Sequence, residues 1–331
     1  MNIDKKKLIE DLKRFNELEY FVKKYNSFIN IFEKLQDVLT DRELRRMHEC
    51  ATWLKYAVFQ TENGLEKRLV AANFCKSRWC DVCNWRRRLK YFNINYEKVV
   101  KIKQEHNARF IFLTLTTKNV YYKDLKEGIK EILTAFKKLL KSYRIANNKA
   151  ILGILRSLEF TIQKSDKRYI NLHIHCLIAV KTSYFNKNYD WYINQSEWTE
   201  LWRKALNVSY TPIVDVRVVK DVRTKKQNKI KRRIDEEGAV FEITKYLYKS
   251  FQFQDIKIEV LKEIVKAFKN VRLIAPIGIF RSKKSKIEVE TNEEDLIKVG
   301  NENVNGKFLG EVEYILEDGK YKLKKVEFKE K

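Results

Sequence analysis

The sequence predicts an α+β protein with a central antiparallel sheet and helices packed on one of its faces. Three observations predict it. Four runs of strand-like composition, "RFIFLTLTT", "ILGILRSLEFTI", "YINLHIHCLIAV" and "TPIVDVRVV", lie between residues 109 and 219. Segments with helical spacing separate the first run from the second and the third from the fourth. Only the polar turn "QKSDKR" separates the second from the third, which makes that pair an antiparallel hairpin. The order β-α-β-β-α-β is that of a split βαβ unit.

Taken in order, residues 1–47 are rich in Lys, Glu, Leu and Phe. Phe28, Ile31, Phe32, Leu35 and Leu39 recur at helical spacing, so a helical N-terminal region is expected. Residues 48–105 form a cysteine-bearing and basic segment that includes "WRRRLKYF". The core is expected over 106–255. Its first strand, 109–117, is followed by an amphipathic helix over 124–143, with Leu125, Ile129, Ile132, Leu133, Phe136 and Leu140 on one side and Asp124 as the cap. After the hairpin come a helix over 196–206, a strand over 211–219 and a helix over 238–250. Residues 256–331 hold a helix, "KIEVLKEIVKAFKN", an acidic stretch, and a hairpin turning at Asp318–Gly319. This C-terminal part is expected to be a small accessory element.

Charge narrows the function. Lys and Arg number 69 against 44 Asp and Glu, a formal net charge of +25. Such an excess points to a polyanionic partner, because basic side chains displace counterions from phosphates. No apolar run is long enough to span a bilayer, and no long basic amphipathic helix with aromatic anchors marks a membrane surface. The N-terminus "MNIDKKKLIEDLKRF" is charged from the start, so a cytoplasmic protein is expected.

Two of the four histidines stand in "YINLHIHCLIAV". Residues two apart on a strand share a face, so His173 and His175 present two imidazoles together. Leu172, Ile174, Cys176 and Ile178 face the other way. A pair of surface histidines is the alternative from "HIH" alone. With the turn centred on Asp166, however, an antiparallel register sets Glu159 across from His173. Glu159 sits in an otherwise mostly apolar run, where a carboxylate needs a partner. Two imidazoles and a carboxylate suit a divalent ion and leave positions open for phosphate oxygens.

Cys50, Cys75, Cys80 and Cys83 offer four thiolates, the number that a closed zinc site needs, with His48 as an alternative to Cys50. An odd count of five cysteines in a cytoplasmic chain argues against a disulfide framework. Cys80-x-x-Cys83 as a redox pair lacks the βαβ context such pairs occupy. Cys176 reads as a small core residue. On the helix expected over 238–250, Glu242, Tyr246 and Lys249 fall at i, i+4 and i+7 and share a face, whereas Tyr248 lies about 200° from Tyr246. Lys249 is placed to favour a phenolate. Two basic stretches are expected to contact phosphates: Arg86, Arg87 and Arg88, and a second that includes Lys225, Lys226, Arg232 and Arg233.

These motifs resemble those of rolling-circle plasmid replication initiators, the HUH endonucleases of small Gram-positive plasmids. The match rests on "FLTLTTKN", the His-apolar-His of "LHIHCLI", and "EITKYLYK", in that order. It also rests on "ANFCKSRWCDVCNWRRRLK", and it runs from about Cys50 to Arg281. The resemblance implies an HUH nuclease core and Tyr246 as the nucleophile. That residue would nick one strand of the origin, single-stranded or hairpin DNA, to give a 5′-phosphotyrosine and a free 3′-OH. It implies Mg²⁺ or Mn²⁺ at His173 and His175, structural zinc at the cysteines, and Glu242 activating water at termination. Host helicase and polymerase are implied partners, and a second copy of the chain is a further candidate. Many members carry His-Pro where this chain has Asn171-Leu172. Cys80 is followed by Asp81 where a proline is common. A related single-strand transposase and a zinc-containing DNA-binding regulator without catalysis are the competing readings.

Overall fold

Among the described residues, the helical spacing of the N-terminal segment gives α1 (Asn16–Gln36) and α2 (Asp41–His48). Phe21, Phe28, Ile31 and Leu35 form the buried stripe of α1. Thr40 and Glu43 close a capping box at the start of α2, satisfying two amide groups that the first turn leaves without helical partners. A hairpin follows, β1 (Trp53–Thr61) and β2 (Gly64–Ala72), and then α3 (Asp81–His106). The structure is a computed structural model that describes residues 16–219, 235–244, 253, 255–281, 296–300 and 304–329.

The chain divides into two compact units, Met1–Asn93 with Thr291–Lys331, and Ile94–Glu290. The boundary falls within α3. The second unit contains β3 (Arg109–Thr116), β4 (Val120–Tyr121), α4 (Leu125–Lys141), β5 (Ile151–Ile162) and β6 (Tyr169–Val180). It continues with α5 (Gln195–Leu206), β7 (Val214–Val218), α6 (Glu236–Ile243), α7 (Ile258–Ala267) and β8 (Ile274–Gly278). Its sheet has the order β7-β3-β6-β5-β8, with β4 also on β6, and every pairing is antiparallel. Asp124 stands at the cap of α4 as expected but makes no side-chain cap bond.

The expected helical layer is α4, α5 and α7, in which α4 packs against both of the others. Phe268, just past α7, stacks on Phe160 at 4.9 Å, on the face of β5 opposite Glu159. α6 also lies on β5 and β6, with Ala239, Val240 and Ile243 buried. On the face that carries the histidines, Phe110, Phe112, Leu155 and Leu177 are buried and follow them along the strands. α6 closes at Thr244, whose hydroxyl donates to the Val240 carbonyl at 2.8 Å. The rest of the helix expected over 238–250, with Tyr246, Tyr248 and Lys249, lies outside the described residues.

The chain returns to the first unit with β9 (Lys307–Glu317) and β10 (Lys320–Phe328). Asp318 and Gly319 take φ of 51° and 72° between them, the two positive angles that a type I′ turn requires. This hairpin, expected as an accessory element, forms half of a sheet ordered β10-β9-β1-β2. Its partner β1 lies in the segment whose sequence marks only the cysteines and basic residues. Lys55 on β1 pairs with Glu311 on β9 at 2.5 Å. Among the described residues, no helix is long and apolar enough to cross a membrane.

Candidate active site and metal centres

The β5–β6 turn fixes everything downstream of it. Asp166 accepts from the Arg168 backbone at 3.0 Å and from its guanidinium at 2.8 Å, and the Tyr169 amide returns to the Asp166 carbonyl at 3.0 Å. That pairing holds the Asp166 carboxyl down at about 2. The register that results sets Glu159 across from His173 and Ser157 across from His175. On the other flank, β3 sets Thr116 and Thr114 against the same two histidines. Directly opposed residues share a face, so Thr114, Thr116, His173, His175 and Glu159 converge.

The Glu159 carboxylate reaches diagonally, and its Oε2 lies 3.0 Å from His175 Nε2. One ligand atom from each of Glu159, His173 and His175 falls within 4.8 Å of the other two. The outer nitrogens are also held. His175 Nδ1 is 3.1 Å from Thr114 Oγ1, and His173 Nδ1 is 2.5 Å from Asn171 Oδ1. Burial lowers the His173 pKa to about 4, with the Glu159 charge opposing and His175 reinforcing the shift. A neutral imidazole is the form that ligates a metal. All three side chains are half-buried, so the donor set fits a divalent ion with open coordination positions.

The cysteines make a different centre. Cys50, Cys75, Cys80 and Cys83 are all buried, and their sulfurs lie within 4.8 Å of one another. Cys83 Sγ is 3.5 Å from both Cys50 Sγ and Cys75 Sγ. A disulfide would need about 2.05 Å, whereas thiolates around one zinc at about 2.3 Å stand about 3.8 Å apart. Backbone amides point at the sulfurs: Lys76 N to Cys83 Sγ at 3.1 Å, and Cys75 N to Cys50 Sγ at 3.4 Å. Such donors stabilise a thiolate. Burial, above all, pushes the Cys50 and Cys80 thiols up, and the neighbouring thiols raise Cys50 further, so a cation is what would draw off their protons. The fourth position goes to Cys50, since His48 is exposed and outside the cluster. Cys176 is fully buried on the opposite face of β6 from the histidines, as its sequence position indicates.

The basic run after the cysteines needs correction. Arg86 and Arg87, expected to face phosphates, are 3 % and 6 % exposed. Arg86 donates to the Leu296 and Ile297 carbonyls at 3.0 and 2.7 Å and pairs with Glu17 at 3.2 Å. Arg87 donates to Asn84 Oδ1 and the Lys76 carbonyl, both at 3.0 Å. Helical phase is the reason. Val82, Cys83, Arg86, Arg87 and Lys90 lie on one face of α3, and Cys83 commits that face to the interior. Arg88 is half-buried. Lys225, Lys226, Arg232 and Arg233 lie outside the described residues, as do Tyr246 and Lys249. Glu242 is described, half-buried near the end of α6. Asn171 is marked in the sequence only as a departure from the His-Pro of many relatives, although it shares strand parity with the histidines, and Thr114 comes to the site only through the β3–β6 register.

A domain described as "Replication protein" matches residues 66–322. The chain belongs to this family, the plasmid replication initiators that its motifs resemble. Among its relatives is a "Protein rep" of Streptococcus pneumoniae serotype 2 (strain D39 / NCTC 7466), 32 % identical over 277 residues and covering 82 % of each chain. A "Protein rep" of Lentilactobacillus hilgardii is 31 % identical over 304 residues, 90 % of this chain and 92 % of that one. A third, from Bacillus amyloliquefaciens, is 34 % identical over 282 residues, 81 % and 80 % respectively. No solved structure matches.

Proposed function

We propose that this initiator nicks one strand of its plasmid origin with Tyr246 as nucleophile and so starts rolling-circle replication. The observation that carries this reading is the convergence of His173, His175 and Glu159 on one face of β5–β6. A Mg²⁺ or Mn²⁺ ion held there would polarise the scissile phosphate. The Tyr246 phenolate oxygen attacks phosphorus, and the bond from phosphorus to the 3′ oxygen breaks. The tyrosine is left esterified to the 5′-phosphate, and the 3′ oxygen takes up a proton to become a primer. Lys249 favours the phenolate, which is otherwise scarce at neutral pH for a group with an ordinary pKa near 10.

At termination Glu242 accepts a proton from water, the hydroxide formed attacks phosphorus, and the bond from phosphorus to the Tyr246 oxygen breaks, leaving free Tyr246 and a 5′-phosphate end. Zinc at Cys50, Cys75, Cys80 and Cys83 is structural, since four protein ligands leave no position for a substrate. Lys225, Lys226, Arg232 and Arg233 contact DNA phosphates. The protein works in the cytoplasm with host helicase and polymerase.

The test uses labelled single-stranded DNA bearing the origin, with Mn²⁺ or with EDTA, resolved on a denaturing gel. A covalent adduct that needs the metal and is absent in Tyr246→Phe is expected. An adduct that survives in Tyr246→Phe moves the nucleophile elsewhere. Intact binding with no adduct under any condition replaces this reading with a non-catalytic regulator.

A further inference from the structure

Strand parity puts Asn171 on the same face as His173, two residues before it, and its carboxamide does not stand alone. Asn171 Oδ1 meets His173 Nδ1 at 2.5 Å, and Asn171 Nδ2 meets Asn119 Oδ1 at 2.7 Å. Asn119 Nδ2 then meets Gln163 Oε1 at 2.8 Å, and Gln163 Nε2 meets Ser165 Oγ at 2.7 Å. Each amide accepts on the side toward His173 and donates on the side away from it. The chain therefore has one direction, running from the ring to the β5–β6 turn through the segment between β3 and β4.

That direction has a chemical consequence. An amide oxygen only accepts, so the proton of the neutral ring belongs on Nδ1. The lone pair then sits on Nε2, the nitrogen left over for a ligand. Reversing one amide would oppose its neighbours, so the whole chain must reverse together or not at all. Such chains polarise one another and hold a ring more firmly than one bond does. A metal-bound histidine commonly needs its second nitrogen fixed in this way, and losing that partner weakens affinity.

We propose that Asn171, backed by Asn119 and Gln163, is a positioning residue that holds His173 with its proton on Nδ1 and presents Nε2 to a divalent cation. The cation half of this statement rests on the metal reading above. The ring-holding half does not.

The experiment is long-range ¹H–¹⁵N NMR on full-length, histidine-labelled protein without added Mg²⁺ or Mn²⁺, paired with Mn²⁺ binding followed by electron paramagnetic resonance. The chain has only 4 histidines, which keeps assignment tractable. In the parent protein His173 should show a protonated Nδ1 and a bare Nε2. Asn171→Ala should release the ring to a mixture of tautomers and weaken Mn²⁺ binding by roughly 10–100-fold. Asn171→Asp, whose carboxylate also accepts from Nδ1, should restore the tautomer. Asn119→Ala, away from the ring, should loosen it in the same direction by less. A protonated Nε2 in the parent protein would mean the chain runs in reverse and would overturn the proposal, as would an Asn171→Ala protein with unchanged tautomer and unchanged Mn²⁺ affinity. The expected tautomers with no Mn²⁺ binding in the parent would overturn the cation half alone.

Discussion

The four thiols of the Cys50–Cys83 cluster are each 6 % exposed or less, whereas the side chains of His175 and Glu159 keep 13 % and 20 % of their surface. The first centre draws its ligands from the end of α2, the end of β2 and the start of α3. It ties together segments that are far apart in the chain and also share buried apolar side chains such as Met47, Phe74 and Val82. The second draws all its candidate ligands from adjacent strands of one hairpin, whose residues are paired from Ile151 to Ile162. A centre that fills its coordination sphere from the protein can only hold the fold, while one that offers three ligands in a half-open row leaves room for a reacting group. Among the described residues, the two clusters that could hold a metal thus suit different tasks, one stability and the other the chemistry proposed above.

Variants can break that division. The largest effect is expected for Cys83→Ser. Structural zinc is worth on the order of 10 kcal/mol to a small domain, so the first unit should lose cooperative unfolding together with bound zinc, read by calorimetry and elemental analysis. His175→Ala should do the reverse. Thermal unfolding should stay close to that of the parent while adduct formation falls about a thousandfold, roughly 4 kcal/mol in the transition state. If both variants unfold the protein, the histidine centre is structural as well.

Arg86 sharpens the comparison, because a surface role and a buried role predict different outcomes. Removing a buried cation that satisfies Leu296, Ile297 and Glu17 should cost about 3 kcal/mol of stability. The salt dependence of DNA binding by Arg86→Ala should not change. A slope shallower by about one unit would return Arg86 to the phosphates.

Acid should weaken the histidine unit by a route of its own. Burial holds the His173 pKa at about 4 against an ordinary 6.5, so the unfolded chain binds that proton first as pH falls. The stabilisation is fully present above pH 6.5 and is lost progressively as pH falls from there to about 4. His173→Gln should flatten this part of the curve of melting temperature against pH. The smallest effect belongs to the terminal hairpin, where Gly319→Ala places a Cβ at φ 72° and should cost about 1 kcal/mol. Urea titration would read it.

Much of the unit that carries the histidines was legible because its signals are local. Alternation in "YINLHIHCLIAV" put both histidines on one face, and a turn centred on Asp166 set Glu159 opposite His173, the register that the strands adopt. The Asp318–Gly319 turn was legible for the same reason: two residues with positive φ announce themselves. Less was legible where the deciding contact is remote. β1 pairs with β9 about 250 residues away, and no periodicity in either strand names its partner.

The sequence by itself determined the antiparallel hairpin, the histidine face, the cysteine set and the basic character, since period, turn chemistry and ligand count are properties of neighbouring residues. Only the tertiary structure decided that Arg86 and Arg87 point inward and that β1 and β9 share a sheet. It alone decided that His173 ends a chain of amides reaching Ser165. Each depends on which groups meet when distant segments are buried together, and burial turns a surface charge into a structural hydrogen-bond donor.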